Sequence, residues 1–309
     1  MRTRIPFALL AAILASSLFC VSAHARARVF VASYGDDANP CTFLSPCRNF
    51  QQAVNVADAG GEVTAIDSAG FGPINITKAV TITSPDGVEA GIVASAGADA
   101  IDVDAGANDA IVLRGLTLNG LGVGAYGVRY NSGRSLTVIN CVAQNFVNGL
   151  QIQPTSGSIS FAVTNTTVLN NGSAGINIVT SFSPTVNGAI DHLVATGNSA
   201  AISGGGGGMA MDLAISNSIL SKNIDGISVG GGSAITVSID NVTLNGNSGS
   251  AITASLPASV LLSRSVIQGN HIGTSNSTSN SFYSYGNNLI DLNANNFVGT
   301  PLNQSVTLR

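Results

Sequence analysis

The chain repeats itself, and the period constrains its fold more than any other feature. LTVINCVAQNFVNGLQI (136–152), FAVTNTTVLNNGSAGINI (161–178), LAISNSILSKNIDGISV (213–229) and VSIDNVTLNGNSGSAIT (237–253) share one layout. A small, an aliphatic and a polar residue recur together, as in Gly175-Ile176-Asn177. The aliphatic member falls at Ile74, Ile101, Val128, Leu150, Ile176, Ile202, Ile227 and Ile252, in steps of 27, 27, 22, 26, 26, 25 and 25 residues. Steps of that size mark a stack of identical structural units. Each unit alternates aliphatic with polar residues over three to five positions and is punctuated by Gly and Asn, which is the chemistry of short strands and turns. Helical repeats are excluded by that content.

Three short strands and three turns fit one unit, each strand pairing with its copy one rung away. The expected fold is therefore all-β, a single-stranded parallel β-helix of about nine or ten coils, with strand content well above the usual ~20–25%. Composition agrees. With 45% apolar residues but only 5% aromatic and no Trp, the core must be built from Val, Ile, Leu and Ala. A net charge of −4 without any Lys/Arg cluster argues against nucleic acid as a partner, because phosphate neutralisation needs a basic patch.

At the start, Arg2 and Arg4 precede an apolar run from Phe7 to Val21 and the small residues of Ala23-His24-Ala25. Residues 1–25 read as a secretory signal peptide, so a secreted or periplasmic protein without a membrane span in its mature form is expected. Export permits disulfides, and Cys41 and Cys47 in NPCTFLSPC are the expected pair, whereas Cys141 sits where other rungs carry Thr166, Ser218 and Val242 and reads as a small buried residue. Arg48 to Ala57 has Phe50, Ala53, Val54 and Ala57 at helical spacing. A solenoid must cover its terminal strand edge, so residues 26–60 are expected to form a cap with an edge strand, a disulfide loop and a helix. The β-helix proper then occupies 61–309.

The cap, the following GGEVTAIDSAGFGPINITKAVTIT, and repeats of the form V-x-N-x-x-V-x-x-N-x(3–5)-G-I-x-I resemble the right-handed parallel β-helix proteins of the pectate-lyase-like superfold. The likeness covers nearly all of the chain after the signal peptide. It implies a fold and a polysaccharide-related role, but that fold hosts lyases, hydrolases, epimerases and adhesins alike.

Asn140, Asn165, Asn217 and Asn241, with Asp191 in place of one Asn, recur at one turn, and Asn170 or Asn171, Asn198, Asn223, Asn247 and Asn270 at another. Stacked amides at such turns bond to one another and to the backbone, so these are read as structural ladders. His192 is placed beside the ladder, in line with Thr166 and Ser218. None of the acid, Arg or His patterns of polygalacturonases, pectate lyases or alginate epimerases is present, nor a Ser-His-Asp set, P-loop or zinc spacing.

The residue after each column aliphatic must face outward, giving the stripe Asn75, Asp102, Arg129, Gln151, Asn177, Ser203, Ser228, Thr253. Asp102 and Arg129 are then neighbours about 4.8 Å apart along the axis. In a chain this poor in charge they are candidates to anchor an acidic sugar, Arg129 pairing its carboxylate and Asp102 or Asp104 holding a cation, for which calcium is the natural choice, or accepting hydroxyl bonds. Tyr126, Tyr130 and Phe182, assigned to loops above the rungs, are candidates to stack on a sugar ring, with Gln151 and Asn177 continuing the stripe. No other cofactor and no metal site are expected. Two function classes fit: an exported, monomeric, non-catalytic protein that binds carbohydrate or serves as a surface module, and a polysaccharide lyase or other polysaccharide-modifying enzyme acting around Asp102 and Arg129.

Overall fold

The computed structural model describes residues 27–180, 184–255, 257–276 and 282–299, and the backbone of 303–304. The expected signal peptide and Phe182 lie outside the described residues. Strands make up 58% of the described residues and helix 3%. One sheet contains twelve parallel strands, from Arg28–Val31 and Gly61–Ala65 to Phe282–Ser284 and Asn303–Gln304. Two further strands complete each coil, such as Thr167–Leu169 and Ala174–Val179 after Ser158–Thr164, and each pairs in parallel with its copy one rung on, Thr167 with Val194 and Ala174 with Ala200. The product is a right-handed parallel β-helix of about nine turns.

The aliphatic column read from the sequence, Ile74 through Ile252, consists of consecutive register partners. All eight residues are buried. Facing them, the first sheet stacks Leu136, Phe161, Gly188, Leu213 and Val237. Gly188 interrupts the aliphatic stack because Phe161 fills its space: a Cβ there would lie 2.4 Å from Phe161 Cζ and 2.7 Å from Leu213 Cδ1. Large and small side chains thus share one layer at constant volume, as a close-packed interior requires.

The corners explain the asparagines. Asn140, Asn165, Asn217 and Asn241 have φ between 48° and 55°, in the left-handed region that Asn tolerates better than other side chains. His192 (φ 53°) and Arg264 (φ 47°) occupy the same corner on their rungs. This corrects the expectation that Asp191 is the ladder residue. Register pairs Asp191 with Thr164 and Ser216, one place earlier, so His192 takes the turn and Leu193 aligns with Thr166 and Ser218. Asp191 nevertheless ends the Asn241–Asn217 part of the ladder, its Oδ1 accepting from Asn217 Nδ2 at 2.7 Å.

The second ladder is buried and longer. From Asn171 through Asn198, Asn223, Asn247 and Asn270 to Asn293, each Nδ2 donates to the next Oδ1 at 2.9, 2.9, 3.2, 2.8 and 2.9 Å. The backbone N–H of each donor residue bonds the same oxygen at 3.0–3.1 Å. Turn backbone that would otherwise be stranded inside the solenoid is satisfied in this way.

At the N-terminal end the cap forms as expected. Cys41 and Cys47 are bridged, and the loop they close pairs with the edge strand through Phe30 N–H to Cys41 O, Cys47 N–H to Phe30 O, and Ala32 N–H to Cys47 O. Helix α1 (Phe50–Val56) turns Phe50, Ala53 and Val54 onto the open end of the core, with Phe50 packed on Phe71 at 4.9 Å between ring centroids. Asn49, its N-cap residue, makes no capping side-chain bond; instead Asp37 accepts from the backbone N–H of Arg48 and Asn49, both at 2.9 Å. Cys141 is buried and unbridged. Among the described residues no helix is long and apolar enough to cross a membrane.

Candidate functional site

The polar stripe runs as its register requires, Asn75, Asp102, Arg129, Gln151, Asn177, Ser203, Ser228 and Thr253 being partners strand by strand. At its N-terminal end it forms the floor of a cleft of about 660 Å³. Ala98 and Asp99 of the loop before Ile101, Ala125 and Tyr126 of the strand Leu116–Ser132, and Gln51 of α1 line the cleft beside it. Asp102 and Arg129 are joined side by side, Arg129 Nε donating to Asp102 Oδ1 at 3.0 Å and an η nitrogen to Oδ2 at 2.6 Å.

Asp99 escaped the sequence reading and is central to the geometry. Its Oδ2 lies 2.8 Å from Arg129 Nε, and its side chain is only 12% exposed. The guanidinium is therefore held between two carboxylates. Burial pushes the Asp99 carboxyl above its ordinary range, opposed by Arg129 and reinforced by the charge of Asp102. Arg129 is pushed the same way by its bonds to Asp102, which keep it protonated.

A relay of amides approaches the same carboxylates from the C-terminal side. Asn148 and Asn177 donate to Gln151 Oε1 at 2.9 and 3.0 Å, Gln151 to Gln153 at 3.0 Å, Gln153 to Asn131 at 2.9 Å, and Asn131 to both Asp102 and Asp104 at 3.0 Å. Every donor points toward the acids, an orientation in which successive bonds polarise one another. Gln151, expected as an outward contact, is covered by this relay and only 3% exposed. Neither Gln153 nor Asn148 nor Asn131 belongs to the outward column, so the period did not single them out.

Two aromatic candidates separate. Tyr126 is half-buried at the cleft wall. Tyr130 is not a surface residue: it is fully buried, and among the described residues its hydroxyl has no hydrogen-bond partner. Strand alternation is the reason, since Arg129 faces out and its neighbours Val128 and Tyr130 face in, Tyr130 in line with Val103 and Ile152. The loop assigned to it is strand, part of Leu116–Ser132. Among the described residues no group of three or more His, Cys, Asp or Glu is placed to hold a metal ion.

Other concavities are less equipped. One of about 420 Å³ follows the buried ladder corner, where the amides of Asn171, Asn198 and Asn223 are already consumed by one another. Another of about 230 Å³ continues the stripe over Asn177, Ser203 and Ser228.

No protein-family profile matches the sequence. No curated protein matches it either. Among solved structures, a pectate lyase, Pel9A, superposes with a TM-score of 0.51 over 91% of this chain and 78% of its own, at 14% identity. The fold is that of the pectate-lyase-like parallel β-helices. A rhamnogalacturonan lyase shares this β-helix at the same TM-score and 12% identity, over 83% of this chain and 84% of its own.

Proposed function

We propose that this β-helix is an exported carbohydrate-binding protein that holds a hydroxyl-rich, uncharged glycan in the Asp99–Asp102–Arg129 cleft. The observation that carries the reading is the guanidinium fixed between two carboxylates beside Tyr126. Sugar hydroxyls need acceptors and donors at fixed positions and an aromatic face for the ring, and this cleft supplies all three. Charge chooses among glycans. Arg129 already serves Asp99 and Asp102, and Asp104 adds a third carboxylate through Asn131, so a uronate would meet net negative charge rather than a free guanidinium. The names of the two structural neighbours, lyases of pectate and of rhamnogalacturonan, support polysaccharide as the ligand class, and the cap disulfide fits an oxidising compartment.

Binding rather than turnover is favoured because Asp102 and Arg129 spend both carboxylate oxygens and two guanidinium nitrogens on each other, which ties up the groups of the stripe best placed to move a proton. One observation favours a catalytic alternative: the raised Asp99 carboxyl faces a cleft, as a general acid does. Electrophoresis of the mature protein through gels containing β-glucan, galactan, dextran, polygalacturonate or alginate tests the reading. Retardation by a neutral polymer is expected. Retardation by the uronates alone contradicts it. Incubation with the same polymers, with and without calcium, is expected to yield neither new reducing ends nor unsaturated uronates; products that vanish in Asp99→Asn would establish the enzyme instead.

A further inference from the structure

At its N-terminal end the cleft is lined by Gln51 of α1, and its charge is gathered in the rungs next to that residue. Gln51 Oε1 accepts from Asn75 N–H at 2.7 Å, and its Nε2 donates to Asn75 O at 3.3 Å and to Asn55 Oδ1 at 3.0 Å. Its amide thus completes the edge of Ile74–Ile76 as a neighbouring strand would, and is pinned at the head of the stripe. Behind it stands α1, anchored on the core by Phe50, Ala53 and Val54. Toward the C-terminus the stripe instead continues through Gln151 and Asn177 to the concavity over Ser203 and Ser228.

Chemistry is graded along the same line. Asp99, Asp102 and Arg129 lie in the rungs next to Gln51, whereas Ser203, Ser228 and Thr253 at the open side are uncharged. A terminal sugar residue carries one more free hydroxyl than the same residue inside a chain. It therefore asks for more hydrogen-bonding groups than an internal residue does, and it needs no passage beyond itself. Gln51 at the head of the stripe and the charge gradient both match that demand.

We infer that the cleft recognises the end of a glycan chain, seating the terminal residue against Gln51 and directing the rest of the chain along the stripe toward Ser228. This rests on the carbohydrate reading of the cleft. The test holds polymer mass constant and changes the number of ends: β-glucan, galactan and dextran are compared intact and after mild acid hydrolysis that raises the ends about tenfold, with binding of the full mature protein followed by calorimetry. For the polymer that binds, the half-saturating mass concentration is expected to fall about tenfold on hydrolysis, in proportion to the ends. A half-saturating mass that stays unchanged or rises would overturn end recognition while leaving carbohydrate binding intact. Failure of every polymer to bind in either form would overturn the carbohydrate reading itself.

Discussion

Asn198 Nδ2 lies 2.9 Å from Asn223 Oδ1, and neither side chain is more than 3% exposed. The same oxygen accepts Asn198 N–H at 3.0 Å. Asn223→Ala therefore strands the buried Asn198 N–H and takes one of three acceptors from Asn198 Nδ2, which keeps Val168 O and Thr196 O at 3.2 Å; it is expected to destabilise the solenoid by about 2 kcal/mol, within the range of about 1–3 kcal/mol that an unsatisfied buried group costs. Asn165→Gly, on the exposed outer ladder and at a left-handed φ that Gly accepts, is expected to cost less than about 1 kcal/mol. Urea unfolding followed by circular dichroism measures both; equal costs would contradict the assignment of the inner ladder as the main polar support.

The buried hydroxyl of Tyr130 has no hydrogen-bond partner among the described residues. Its removal relieves a desolvated group without opening a cavity, so Tyr130→Phe is expected to leave stability unchanged or raise it by about 1 kcal/mol. Tyr130→Ala is expected to cost about 3–5 kcal/mol, as large-to-small changes at aromatic core positions do. Tyr130→Phe should not alter glycan retention. A loss of retention with unchanged melting would return Tyr130 to the ligand site.

Asp191 is lowered from 3.8 to about 2 by hydrogen bonds from Ser216, Asn217 and His192. A carboxyl whose pKa falls on folding adds stability above its unfolded value and loses that contribution as pH drops through its folded value. Asp191→Asn is therefore expected to melt below the wild type at pH 6, with the difference closing between about pH 4 and pH 2. Melting temperatures at pH 6, 4 and 2 check this, and a difference independent of pH would contradict it.

The Cys41–Cys47 bridge closes a loop with a sequence separation of 6 that covers the edge strand Arg28–Val31. A loop this short restricts the unfolded chain by about 2 kcal/mol. The Cys41→Ser, Cys47→Ser double variant is expected to lose about that much and to associate more readily on mild heating, because an uncovered edge is a template for another chain. Light scattering during a thermal ramp distinguishes it from the wild type.

Period and alternation made most of this molecule legible in advance. The stripe from Asn75 to Thr253 follows from the spacing of one aliphatic column, because in a parallel stack the register of one column sets that of its neighbours. Where chemical likeness replaced counting, the reading slipped. Asp191 resembles Asn, but the inward Ile190, paired with Val163 and Ile215, places His192 in the turn. Tyr130 looked like a surface aromatic although it sits two places after Val128 and must share its side. Asp99 was invisible for a different reason: it lies in a turn of varying length, outside every column. Its one signal was the spacing Asp99-x-x-Asp102, two acids around the column residue Ile101 in a chain with only 16 acidic residues.

The central claim is that the Asp99–Asp102–Arg129 cleft is the glycan site, and Arg129 is the residue on which it turns. Retention of wild type and Arg129→Ala is compared in the neutral polysaccharide gel that retards the wild type, with thermal melting run in parallel. The variant leaves Asp99, whose side chain is only 12% exposed, and Asp102 without their shared counter-charge, so it is expected to lose about 3 kcal/mol of stability or less, to remain folded at the assay temperature, and to migrate as freely as in a gel without polysaccharide. Retardation equal to the wild type's by the folded variant would contradict the account and leave Asp99, Asp102 and Arg129 as scaffold.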